Sequence, residues 1–362
     1  MNIAIVSDAC PPQVNGVVRT LSEVTTQLRR MGHQVTLITP AGRWQLPCPT
    51  YPEIRLSLRP GTHVRSSLGT RHFDAVHIST EGPLGIAARR YCINHNLPFT
   101  TACHTRLNEY LRMRLLLPER LGTQWLRRFH GAAQLTMVRS PAQRRALAAQ
   151  GFRNLAVWPG AVNHALFRPR EKNYWSLPRP IAVYAGRVAP EKNLRDFLEL
   201  ELPGSKVIIG DGPARPRLQR QFPRTRFIGY LHGESLAHAM ASADVFVFPS
   251  RTDTLGLVML EAMACGVPVA AYPVQGPVDV IRDGCTGALD TDLRRAVFRA
   301  MRCAPEDCVE HAAEFSPRNS AERFLCLLQP VHCESSPPPR SMRTVSAYNA
   351  ELWPSPVNNY GT

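Results

Sequence analysis

Ten cysteines are spread over 362 residues without one C-x-x-C pair. The group Cys303, Cys308, Cys326 and Cys333 lacks zinc-finger spacing, and His311 and His332 do not repair it. Free thiols in a reducing compartment are therefore expected. No apolar run approaches the roughly 20 residues that a membrane span needs. The opening "MNIAIVSDAC" has neither a basic n-region nor a long apolar h-region. It reads as a first strand rather than a signal peptide, which predicts a cytoplasmic protein that touches a membrane surface at most. Acid is scarce too: 28 Asp and Glu stand against 43 Lys and Arg, a formal charge of +15. Such a field attracts nucleic acid, anionic membrane or phosphorylated small molecules without choosing among them. No nucleic-acid module or stacking motif accompanies the charge, so no nucleic-acid partner is expected. The first strand-to-helix turn lacks a full G-x-G-x-x-G, which argues against a nicotinamide or flavin cofactor.

What is present is a rhythm. With 44% apolar residues the chain is globular, and its length favours two domains over one core. "NIAIVSD" is a short apolar run of the buried parallel-strand kind, and "VVRTLSEVTTQLRRMGH" follows with helical period. "QVTLITP", "AVHIS", "PFTTACH", "QLTMVRS" and "LAVWP" continue as strands, with helices over about 85–94 and 123–132 and at "PAQRRALAAQGF". The Pro-rich "GAVNHALFRPREKNYWSLPRP" interrupts this alternation and reads as a linker. A second series runs through "IAVYAGR", "SKVIIGDG", "TRFIGY", "DVFVFPS" and "VPVAAYP". The predicted architecture is α/β, two Rossmann-like doubly wound domains facing a cleft at the carboxyl ends of both sheets. The expected bounds are 1–165 for the first domain, 166–180 for the linker and 181–310 for the second domain. A helix over 311–329 would return to the first domain, and 330–362 is a Pro- and Ser-rich tail predicted to be disordered.

Three turns carry candidate chemistry. In "YAGRVAPEKN", Arg187 and Lys192 present two cations after a strand, a pattern that suits a diphosphate or a merely solvated basic loop. In "DACPPQVNGVVRTL", Asn15 and Gly16 stand where a helix begins, so free amides and the positive helix end would face the cleft. In "FPSRTDTLGLVMLEAMACG", Asp253 to Leu257 form a strand-to-helix turn with Thr254 as the expected N-cap. The amides of Leu255, Gly256 and Leu257 would then receive an anion. Glu261 would accept hydrogen bonds from a ribose diol, and Asp253 would grip a second sugar. An anion between two polyols describes a nucleotide sugar. The alternative is an acid that merely favours the helix dipole, beside a solvated Glu. The D-x-D at Asp290 to Asp292 imitates a metal site, but it precedes "LRRAVFRAM" and reads as a helix cap, so no metal is expected.

These motifs, with "TEGPLG" and "GDGP", occur in an order that resembles the family 4 retaining glycosyltransferases of the GT-B fold. The resemblance covers about residues 1–329. It is nearest to the bacterial branch of GDP-mannose-dependent mannosyltransferases and related glycolipid-forming enzymes. It implies transfer of a hexose, mannose first, from a nucleotide-diphosphate sugar with retention and without metal or other cofactor. By that resemblance Asp253 meets the donor sugar and Glu261 the ribose. Arg187 and Lys192 hold the diphosphate, Gly16 lies by the donor phosphates, and His104 in "TACHTRLNEY" sits by the donor sugar. Asp253 and His104 are thus the catalytic candidates, and Leu255, Gly256 and Leu257 join the donor-binding set. Three departures stand out. Asp replaces the first Glu of the acidic pair, Leu255 stands where an aromatic is usual, and Asn163 occupies the usual Asp of the linker.

The acceptor is less closely marked. "RLNEYLRMRLLLPERLGTQWLRRFH" interleaves Arg with Leu, Met and Trp. It fits a face docking on anionic lipid as well as it fits an amphipathic helix packed within the domain. A lipid acceptor is the expectation. A soluble acceptor, a UDP-sugar donor and a nucleotide-sugar epimerase are the rival readings.

Overall fold

The computed structural model describes residues 1–11, 13, 16–40, 45–48, 51–104, 119–253 and 255–330. The first sheet is built from β1 (Asn2–Val6) and β2 (Gln34–Ile38), then, beyond a short antiparallel hairpin of β3 (Gln45–Cys48) and β4 (Tyr51–Ser57), from β5 (Ala75–Ile78), β6 (Thr100–Cys103), β7 (Leu135–Val138) and β8 (Leu155–Val157). Its order is β2-β1-β5-β6-β7-β8, with every pair parallel. The second sheet holds β9 (Ile181–Ala185), β10 (Ser205–Ile209), β11 (Arg226–Gly229), β12 (Val245–Phe248), β13 (Val269–Ala271) and β14 (Gly287–Leu289). Its order is β11-β10-β9-β12-β13-β14, again parallel.

The strands are near-continuous apolar runs because helices cover both faces of each sheet. All five residues of β9 and all four of β12 are buried. Each sheet reverses its winding beside its first strand, between β1 and β5 in one and between β9 and β12 in the other. A ligand crevice forms at such a reversal, outside the carboxyl ends of the strands. Every loop singled out above leaves one of those ends. Arg187 and Lys192 follow β9, Asp253 follows β12, Gly16 follows β1 and His104 follows β6.

Residues 158–180 contain no helix or strand. Val162 and Phe167 nevertheless join the core of the second domain. Asn163, the departure from the family's usual Asp, accepts the Ala165 N–H at 3.1 Å through Oδ1, and its carbonyl accepts from Phe167 at 2.8 Å. An amide oxygen suffices for that turn. Beyond the second domain the helix Pro317–Leu327 returns to the first. Ala321, Phe324 and Leu327 are buried against Ile3, Ile5 and Trp158. The Trp158 indole N–H donates to the Ser320 carbonyl at 3.1 Å. The tail 331–362 and residues 105–118 lie outside the described residues.

Sequence periodicity missed three strands. The β3–β4 hairpin carries two prolines, and β14 has only three residues, too few to show a period. The helix expected from 123 begins at Glu119.

Candidate functional site

The turn after β12 is built around one glycine. Gly256 adopts φ +77°, and a Cβ there would come within 2.8 Å of the Met259 Cε and 2.9 Å of the Phe248 ring. Only glycine combines that left-handed backbone with that space. The helix Leu257–Ala264 starts directly after it. Gly256, not Thr254, therefore holds the cap position; Thr254 itself lies outside the described residues. Gly256 supplies no side-chain cap; the Met259 amide donates to the Gly256 carbonyl at 2.9 Å, and the amides before it are placed to meet an external acceptor.

The two acids share a pattern. Asp253 Oδ1 meets Lys192 Nζ at 2.5 Å. Its Oδ2 is buried with no hydrogen-bond partner among the described residues. Glu261 Oε1 meets Arg19 Nη1 at 2.8 Å, and Glu261 Oε2 is likewise buried without a partner. Each carboxylate thus has one oxygen neutralised by a cation and one without a partner among the described residues. A buried acceptor left in that state costs about 1–3 kcal/mol, and a ligand hydroxyl would relieve it. Burial raises the Glu261 pKa above its ordinary value, and the Arg19 charge opposes that rise.

Arg19 reaches Glu261 from the helix Gly16–Arg30 of the first domain, so the Gly16 helix end closes on the second domain's acidic helix. Among the described residues a Cβ at Gly16 would meet nothing within 4 Å, so packing does not demand a glycine there. Asn15 lies outside the described residues. Arg187 stands on the β9 turn, where its carbonyl accepts the Tyr184 hydroxyl at 3.0 Å. That hydroxyl is held far above its usual pKa, by burial first and then by the charges of Asp253 and Glu191.

On the first domain's rim, His104 follows β6 and Arg139 follows β7, where Cys103 and Val138 are register partners. The two side chains flank Trp158. The His104 ring meets it edge-on at 5.8 Å and the Arg139 guanidinium lies 4.9 Å from its centroid. Burial, then the charge of Arg139, holds His104 well below the usual histidine pKa. That shift favours the uncharged ring over a standing cation.

Sequence reasoning did not single out Arg19, Arg139 or Trp158. Arg19 lies three residues after Gly16 on the same helix face, a signal that could have found it. Arg139 follows its strand as His104 follows its own. Trp158 gave no sequence signal.

For metals, one trio among the described residues, Glu81, Cys103 and His130, brings ligand-type atoms within 4.8 Å of one another. His130 already pairs with Glu81 at 3.2 Å through Nε2 and with the Thr101 hydroxyl at 2.9 Å through Nδ1. The D-x-D acids are engaged elsewhere. Asp292 caps the helix Leu293–Ala300 and Asp290 binds Arg295 at 2.6 Å.

Two parallel doubly wound domains with their strand ends turned to one cleft make a GT-B fold. Solved structures agree. Sucrose-phosphate synthase from Thermosynechococcus elongatus matches with TM-score 0.74 at 18% identity, covering 90% of this chain and 98% of that one. Anabaena HepE in complex with UDP matches with TM-score 0.68 at 16% identity, covering 90% and 98%. The family models described as Glycosyltransferase Family 4 and Glycosyl transferases group 1 match residues 14–166 and 179–304. A GDP-mannose-dependent alpha-mannosyltransferase of Mycolicibacterium smegmatis is 32% identical over 86% of this chain and 88% of its own. Its namesake in Mycobacterium tuberculosis is 31% identical over 80% and 83%. Sulfoquinovosyl transferase SQD2 of Arabidopsis thaliana is 31% identical over 76% of this chain and 61% of its own. The chain belongs to glycosyltransferase family 4. It is an enzyme that transfers a sugar from a nucleotide-sugar donor.

Proposed function

We propose that this glycosyltransferase moves mannose from GDP-mannose to a hydroxyl of a membrane lipid, with retention at the anomeric carbon and without a metal. The observation that carries the donor reading is the pair of half-satisfied buried acids, Asp253 and Glu261, on either side of the Gly256 turn. Two hydroxyl-bearing groups flanking an anion fit that arrangement. Glu261 Oε2 takes a ribose hydroxyl and Asp253 Oδ2 a hydroxyl of the sugar. Lys192 and Arg187 on the β9 turn, with the amides of Leu255, Gly256 and Leu257 and the Gly16 helix end, stabilise the leaving diphosphate. His104, neutral, hydrogen-bonds the sugar. The choice of GDP-mannose leans on the mannosyltransferase relatives.

The lipid acceptor leans on the first domain's surface. The helices Pro83–Asn94 and Glu119–His130 are tied together by the Arg89 guanidinium, which donates to the Phe129 and Arg128 carbonyls at 2.9 Å. Between them they expose Ile86, Ile93, Leu121 and Trp125 amid Arg90, Arg120, Arg127 and Arg128. Apolar side chains among arginines suit an anionic interface. No described helix is long and apolar enough to cross a membrane.

A screen of GDP-mannose, UDP-glucose and UDP-glucuronate against a lipid extract, with and without EDTA, tests the reading. A mannolipid of α configuration formed in EDTA is the expected product. Turnover with soluble sugars alone, or an inverted product, overturns it.

A further inference from the structure

Arg139 is 4% exposed, and neither Nη1 nor Nη2 has a hydrogen-bond partner among the described residues. A guanidinium taken out of water without a counter-charge is expensive, so a fold retains one where something else brings the anion. Its posture is firmly set. The Arg139 backbone N–H donates to Gln143 Oε1 at 2.7 Å, and Gln143 Nε2 donates to the Cys103 carbonyl at 3.0 Å. The Ser140 hydroxyl caps the next helix, and Trp158 supports the guanidinium face. Its direction can be read from Gly160. A Cβ there would meet Leu257 Cδ2 at 2.3 Å, Leu255 Cδ2 at 2.7 Å and Arg139 Nη2 at 3.1 Å. The Arg139 guanidinium of the first domain and the Leu255 and Leu257 side chains of the second therefore converge on Gly160, with His104 across the Trp158 ring from Arg139. The cation on the opposite rim, Lys192, is already matched by Asp253.

We propose that Arg139 is a further donor-binding residue, the first domain's cation for the sugar-proximal phosphate of the diphosphate. Glu261, one turn into the helix, marks the ribose end of the donor, and His104 marks the sugar end. Arg139 lies by His104 and the helix start, which places it at the phosphate nearer the sugar. The donor then bridges the two domains electrostatically, and the charge that leaves with the diphosphate meets a cation from each. This inference rests on the cleft being the donor site, as described above.

The test measures binding of GDP and GMP to the full-length protein and its Arg139→Met and Arg139→Lys variants by calorimetry, with melting curves to confirm folding. Arg139→Met is expected to weaken GDP about 10- to 100-fold while changing GMP little, and Arg139→Lys to fall between. A merely structural role would move both nucleotides together. An unchanged GDP-to-GMP ratio in folded Arg139→Met overturns the proposal. So does retained GDP affinity with selective loss of turnover on UDP-glucuronate, which would assign Arg139 to a charge on the sugar. If the wild type binds UDP and not GDP, the UDP-to-UMP ratio gives the same readout and only the GDP assignment fails. Binding of neither by the wild type overturns both readings.

Discussion

The two rims of the cleft hold their charges differently. The second domain supplies acids, Asp253 and Glu261, around a helix start, and matches Asp253 with its own Lys192. The first domain supplies Arg19, Arg139 and the neutral ring of His104. Its Arg19 pairs with the other domain's Glu261, and its Arg139 meets no carboxylate among the described residues. On the proposed reading both rims bring cations to the diphosphate, and the acids of the second take the hydroxyls. Domain closure and donor binding should therefore be linked, because a donor that touches both rims favours the closed arrangement.

The sharpest way to break this comparison is to remove the acid on which both rims converge. Glu261→Gln keeps the volume and removes the charge. Transfer is expected to fall about 100- to 1000-fold, read as kcat/KM for the donor, with the fold intact by circular dichroism. Full turnover would sink the role of Glu261. Lys192→Ala is expected next, with a loss of about 100-fold, because it removes a phosphate cation and unpairs Asp253 together.

Arg19→Ala isolates the contact between the rims. Arg19 is 44% exposed, so screening limits the direct stabilisation to about 1 kcal/mol. Donor KM is expected to rise several-fold more than kcat falls. A double-mutant cycle with Glu261→Gln should show coupling, and strict additivity would mean the pair does not matter in solution. Gly256→Ala probes the turn itself. With φ +77° and the Met259 and Phe248 contacts, a loss of about 1–3 kcal/mol of stability is expected in denaturant melts.

The smallest expected effects are in pH. Glu261 has a raised folded pKa, so donor binding should weaken as pH falls through a value above 4.5, and Glu261→Gln should remove that limb. For stability the sign is opposite. Between 4.5 and the folded value the native state holds more protons than the unfolded chain, so this group's contribution declines as pH rises through that window. His104 and His77 are shifted the other way, His77 to about 3. The unfolded chain binds their protons first, so their contribution is present above 6.5 and lost as pH falls below it. A histidine inflection near 6.5 in kcat that vanishes in His104→Gln would contradict the buried, neutral ring.

The alternation of apolar strands with periodic helices was legible because both sheets are covered on both faces, which forces each strand to be apolar throughout. The turns after β1, β9 and β12 were legible because their glycines and charges follow strand ends at short range. The cap was misplaced by two residues, at Thr254, because side-chain preference at a cap is a weaker constraint than the left-handed backbone that only Gly256 tolerates. The β3–β4 hairpin was hidden by its prolines.

By itself, the sequence determined two doubly wound domains, the cleft between their strand ends, and the order of Gly16, His104, Arg187, Lys192, Asp253 and Glu261 around it. Local periodicity and turn chemistry act over a few residues, so they can be read along the chain. Only the tertiary structure decided which charges are already paired. Lys192 lies 61 residues from Asp253, and Arg19 reaches Glu261 from the other domain. Arg139 meets no carboxylate among the described residues. Pairing and burial are properties of distance in space, and they separate a cation that neutralises its own protein from one left for a substrate.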